Sequence, residues 1–131
     1  MNKDFFNKSS DKDQKKIILS VTWETNKRAI SDKLSLLTVS DVCKYFIGTE
    51  SRKCELTAYA GKKLNVYYGK AHWWLRSSAV NVGFKGNIVA KYASAFGTIL
   101  YIEPNIKLGV RPAMWINISA YKEYLDQQAK Q

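Results

Sequence analysis

The 131-residue sequence predicts an α+β fold in which helices come first and short, mostly antiparallel strands follow. Two observations carry this. Ahead of Lys62, apolar residues recur at helical spacing behind Ser, Thr or Asp. From Trp73 to Asn117 the chain instead runs in short stretches of β-branched and aromatic residues, cut by Gly, Pro and Asn. The two textures are segregated rather than alternating, which argues against a parallel βαβ sheet. Apolar content of 46% in a chain of this length suits a single packed domain over residues 1–131.

Taken in order, Ser10 or Asp11 caps a first helix through DQKKIILSV, Asp13 to Val21, with Ile17, Ile18 and Val21 as a narrow apolar stripe. Asp11 and Asp13 suit the positive end of its dipole. Lys33 to Val39 (KLSLLTV) reads as a buried strand carrying Leu34, Leu36 and Leu37. Ser40 reads as the cap of a helix over DVCKYF, with Val42, Tyr45 and Phe46 at helical spacing. Gly48 to Lys53 reads as a polar loop, and Thr57 caps another helix that Gly61 ends. Strands are expected in WWLRS, AVNVGF, NIVAKY, TILYIE and LGVRPAMWIN, with the N-terminal helices packed on them from about residue 73 to 117. Turns fall at Gly83 to Asn87, at Gly97 and at Pro104-Asn105. Ser119 caps a last amphipathic helix, so residues 119–131 form a helical tail with Tyr121, Tyr124 and Leu125 on one side.

The formal net charge is +10 and unevenly spread: residues 56–121 hold eight basic side chains against Glu103 alone. Such a surface attracts polyanions, so nucleic-acid binding is the alternative reading. No RRM, KH, zinc-finger or helix-turn-helix pattern accompanies the charge, and a lysine-rich solvated surface explains it as well. Cys43 and Cys54 with one histidine fall short of a structural zinc set, so no metal or other cofactor is expected and the two thiols read as buried. With no signal peptide or membrane-spanning run, no membrane insertion is expected. The chain as written reads as cytoplasmic, or as extracellular or phage-associated if it is part of a longer protein.

Two arginines stand in the most apolar stretches, Arg76 in WWLRS and Arg111 in GVRPAMWIN. Strand alternation gives Arg76 the face of Trp74, and Arg111 that of Ala113 and Trp115. A guanidinium there can stack on indole and donate to backbone carbonyls. Trp73, Trp74, Arg76, Arg111 and Trp115 are therefore expected to build the fold, in preference to an anion clamp, because clamps rarely sit inside such apolar runs.

WWLRS followed by GVRPAMWIN resembles the signature of an uncharacterised bacterial domain family, usually WWLRSP and GVRPAL. FFNK, LSLLTVSDVCKYF and TAYAGKK resemble its upstream pieces, so the likeness spans nearly the whole chain; Ser78 stands where the family has proline. The resemblance implies a C-type-lectin-like fold, the group that includes formylglycine-generating-enzyme-like domains and the variable proteins of diversity-generating retroelements. It also implies that an upstream strand pairing with the C-terminal one is missing here. On this likeness the two motifs form core strands and the segment from Ala79 to Lys107 becomes the ligand surface. Its candidates are Asn81, Phe84, Lys85, Asn87, Lys91, Tyr92, Ser94, Phe96 and Tyr101. Aromatics with Asn and Ser combine apolar area with adaptable hydrogen bonding. The expected ligand is a protein or other macromolecule, and the expected role is not enzymatic. Formylglycine-type chemistry needs late cysteines, and none follows Cys54. His72 lacks a motif-bound nucleophile and acid and reads as a packing residue. Glu103-Pro104-Asn105 echoes a mannose-type calcium site, yet calcium wants six to eight oxygens and one carboxylate is on offer.

Overall fold

The computed structural model describes residues 11–25, 28–77 and 89–130. It is mixed α and β, with short antiparallel strands and a few helices, as the sequence predicts. In chain order the elements begin with α1 (Lys12–Ile17), β1 (Ile18–Leu19), β2 (Val21–Thr25), β3 (Arg28–Asp32), α2 (Val39–Tyr45), α3 (Thr49–Arg52) and β4 (Cys54–Glu55). Then come α4 (Ala58–Gly61), β5 (Lys70–Ala71), β6 (Trp73–Trp74), β7 (Ala90–Ala93), β8 (Ile99–Ile102), β9 (Trp115–Ile116) and α5 (Ile118–Ala129). They gather into two compact units, Met1–Ser35 with Ala113–Gln131, and Leu36–Pro112.

In the first unit Asp11 is the cap in use. Its carboxylate accepts from the Gln14 N–H at 2.8 Å, and the Gln14 side chain accepts from the Asp11 N–H at 3.1 Å. The helix stops at Ile17 instead of reaching Val21, because Ile18 and Leu19 pair with Ile116 and Trp115. β-branched residues lose less in that ladder than in another helical turn. β2 and β3 form an antiparallel hairpin, Val21↔Asp32 to Thr25↔Arg28, which the sequence reading leaves unassigned. The strand expected over 33–39 reduces to one bridge, Ser35↔Ala113. Among the described residues of this unit, Ile17, Ile18 and Leu34 are buried apolar side chains. Asn117, not Ser119, caps α5: its side-chain oxygen accepts from the Ala120 N–H at 3.0 Å.

In the second unit Thr38 replaces Ser40 as the cap of α2. A capping box needs an acceptor three residues on; Asp41 supplies it for Thr38, where Ser40 would have Cys43. The stretch read as a polar loop contains α3, entered through Gly48 at φ +81°. Thr57 caps α4 as expected. β4 and β5 pair Cys54↔Ala71 and Glu55↔Lys70, and Lys70 donates to the Glu55 carboxylate at 2.8 Å. That hydrogen bond, and the charge behind it, hold the Glu55 carboxyl below its ordinary pKa. β6, β7 and β8 form one antiparallel sheet, Trp73↔Ala93↔Ile99 and Trp74↔Tyr92↔Leu100. Val42, Trp73, Leu75 and Ala93 make the core, with Leu37, Val39, Phe46, Cys54 and Ile99 packed around it. The expectation of two buried thiols needs correction. α2 turns Val42 inward, and its neighbour Cys43 is exposed; Cys54 is half-buried, and both are free.

Candidate functional site

The two arginine-bearing motifs lie side by side. Gly109 bridges Trp73 in parallel: the Gly109 N–H donates to the His72 carbonyl at 2.8 Å, and the Trp74 N–H donates to the Gly109 carbonyl at 2.9 Å. A Cβ at Gly109 would come within 3.1 Å of the His72 oxygen, so the close approach favours glycine. Each residue of WWLRS then has a task in the fold. Trp73 is 1% exposed, and its indole N–H donates to the Arg52 carbonyl at 3.0 Å. Trp74 is half-buried, edge-on to Tyr92. Leu75 is buried in the core, and the half-buried Arg76 ties its N–H to the Leu37 carbonyl at 2.7 Å. Ser77 accepts the Val39 N–H at 2.7 Å, satisfying a donor at the start of α2.

Arg111 sets its guanidinium carbon 4.9 Å from the centre of the Phe46 ring and 5.0 Å from that of Trp73. The sequence reading gives it Trp115 as the indole partner; the indole it meets is that of Trp73. Alternation along one strand finds only neighbours on that strand, and this indole comes from the adjacent one. Donation to carbonyls is incomplete: Nη1 is buried with no hydrogen-bond partner among the described residues. Trp115 is 43% exposed in the other unit.

Beside this framework the β5 approach builds an aromatic cluster. Tyr67 and Lys70 exchange backbone hydrogen bonds at 2.8 and 3.0 Å, leaving Tyr68 and Gly69 as a two-residue turn with φ of +52° and +76°. Two positive φ values are the pattern of a type I′ turn, where Asn-Gly is the low-cost sequence. Here tyrosine occupies the first place, 94% exposed. Its ring meets Phe96 edge-on at 6.4 Å, and Phe96 also lies 6.1 Å from Tyr67. Tyr67 stacks on His72 at 4.6 Å, and His72 meets Tyr92 at 5.2 Å. The His72 Nδ1 accepts the Ala95 N–H at 2.8 Å, so the neutral ring carries its proton on Nε2. Burial lowers the His72 pKa, favouring that neutral form. Behind these rings opens a cavity of about 210 Å³ lined by Leu64, Asn65, Tyr67, His72, Tyr92, Ile102, Ile106, Lys107 and Leu108.

The expected ligand residues are divided by this geometry. Tyr92 is buried and lines the cavity, and Phe96, half exposed, joins the aromatic cluster. Lys91 and Tyr101 are register partners on the opposite sheet face from Tyr92. Ser94 is not at the surface: at 1% exposure its hydroxyl shares a hydrogen bond with Thr98 and accepts the N–H groups of Phe96 and Thr98. Asn81, Phe84, Lys85 and Asn87 lie outside the described residues. Sequence reasoning did not single out Tyr67 and Tyr68, and took Lys107 only as the end of the ligand segment. The signal for the first two was Gly69 set between VYY and KAH, a turn with aromatics at its tip.

Among the described residues no helix is long and apolar enough to cross a membrane. No curated protein matches the chain, and no solved structure does. One family model does match, across residues 1–118. The chain therefore belongs to the family described as domain of unknown function DUF6273.

Proposed function

We propose that this chain is a C-type-lectin-like, non-catalytic recognition module that meets a macromolecular partner, most simply a protein. The face is the aromatic cluster of Tyr67, Tyr68 and Phe96, with Phe96 in the turn of the β7–β8 hairpin. One observation supports it above the rest: Tyr68 holds a left-handed backbone that costs a non-glycine residue about 1 kcal/mol, and presents its ring to solvent. Strain kept at an exposed aromatic is economical where the ring has a use. Aromatic rings give contact area at low entropic cost, the property that adaptable binding surfaces draw on. The resemblance described from the two motifs supports Phe96 in this face, since it makes the segment between them the ligand surface.

The experiment is a displayed-peptide selection on the chain, followed by affinity measurement for enriched peptides across a salt series. Binding with a shallow salt slope, weakened in a Phe96→Ser variant that melts normally, supports the module. Steep loss with salt, together with equal retention of a single-stranded oligonucleotide, would favour the polyanion reading drawn from the basic residues. One of those cations, Lys70, is already paired with Glu55.

A further inference from the structure

We propose that the cavity behind the Tyr67–Gly69 turn binds a monocarboxylate carried on an apolar body about the size of one large side chain. The inference rests on the recognition reading above for its setting and adds the chemistry of the ligand. Leu64, Ile102, Ile106 and Leu108 contribute aliphatic lining, and Tyr67 and Tyr92 aromatic lining. Pockets of this make-up use a few polar groups to orient a largely apolar ligand. The polar lining residues here are Asn65, His72 and Lys107 besides the tyrosines. Because Nδ1 is occupied by Ala95, the imidazole can offer only its Nε2–H, which has no hydrogen-bond partner among the described residues. Lys107 is the one cation among the lining residues, and no acid stands with it.

That balance selects the ligand class. An acceptor with one negative charge matches one ammonium and one neutral N–H donor. A phosphate dianion calls for more positive charge or a guanidinium fork, neither of which lines the cavity. A volume near 210 Å³ is below the range of pockets for drug-sized molecules and suits a group the size of one large side chain. Two sources share the chemistry: a free aryl or alkyl acid, and the C-terminal residue of a peptide chain.

The test titrates the full chain with phenylacetate, with 2-phenylacetamide as the neutral isostere, and with an acetylated peptide ending in phenylalanine. Methyl and imidazole resonances report occupancy. The expected result is saturable binding of phenylacetate that shifts Ile102, Ile106 and His72, with the amide at least tenfold weaker. Lys107→Gln should weaken the acid about fivefold or more and leave the amide unaffected, whereas Lys62→Gln, outside the cavity, should change neither. Tighter binding of the peptide than of phenylacetate assigns the source to a chain end; the reverse order assigns it to a free acid. Equal affinity for acid and amide, or no saturable shift, overturns the proposal, as does an unchanged Lys107→Gln. This comparison involves no macromolecular partner, so its failure leaves the aromatic face standing. A failed peptide selection likewise leaves the acid preference standing.

Discussion

Arg111 rests its guanidinium carbon 5.0 Å from the centre of the Trp73 ring, and Trp73 is the largest fully buried side chain among the described residues. Phe46 takes the same cation at 4.9 Å. Arg111 therefore joins the start of its own motif to α2 and β6 by contact with aromatic faces, while its buried Nη1 finds no hydrogen bond among the described residues. Cation–π contacts of a desolvated arginine are worth about 2 kcal/mol, and the aliphatic stem adds packing. Arg111→Ala should lower the melting temperature by roughly 5–10 °C. Arg111→Met keeps the bulk and removes the unpaired donor, so it should melt clearly above the alanine variant. If both melt like the parent, the contact with Trp73 is idle.

Gly97 and Gly69 separate two reasons for glycine. Both hold positive φ, +86° and +76°. A Cβ at Gly97 would also run into the backbone of Thr49, where one at Gly69 would meet nothing. Gly69→Ala should cost about 1 kcal/mol. Gly97→Ala adds a backbone collision that no rotamer relieves and should cost more than about 3 kcal/mol. Denaturant unfolding of the two variants checks the order, and equal costs would contradict the close packing of the Ser94–Thr98 loop on α3.

His72 makes stability fall on acidification. Burial lowers its pKa below the usual 6.5, so the folded chain holds the proton less readily than the unfolded one. The contribution is fully present above the unfolded pKa and is lost as pH drops through that value toward the lowered folded one. Protonation would also place a hydrogen on Nδ1, where the Ala95 N–H now donates. Melting temperature should therefore decline between about pH 8 and about pH 5, and His72→Gln should flatten that decline. An identical pH profile in the variant would remove His72 as the cause.

Local rules carried some of this structure in the sequence and could not carry the rest. Asp11 and Thr57 were legible as caps because a cap is a matter of spacing within one turn. Thr38 was legible in principle, once Asp41 is weighed with it. The end of α1 was not, since Ile18 leaves the helix for Ile116, almost a hundred residues away. The aromatic contact of Arg111 was predictable in kind but not in partner, because Trp73 is delivered by the Gly109 bridge. The candidate site shows the same division. Phe96 stands out by composition alone, whereas the cavity joins His72, Tyr92 and Lys107 from separate stretches of chain. Ser94 looked like a surface hydroxyl until its turn closed around it.

Tyr68→Asn tests the recognition reading most directly, because the two demands on that position pull apart. Asparagine tolerates the left-handed backbone better than tyrosine does, so the variant should melt at or slightly above the parent. It removes the ring that is 94% exposed beside Phe96. Affinity for a selected peptide, measured by titration calorimetry on parent and variant, should then fall about tenfold, a loss near 1.4 kcal/mol. Unchanged affinity at unchanged melting temperature would show that the exposed ring serves no partner, and would contradict the account.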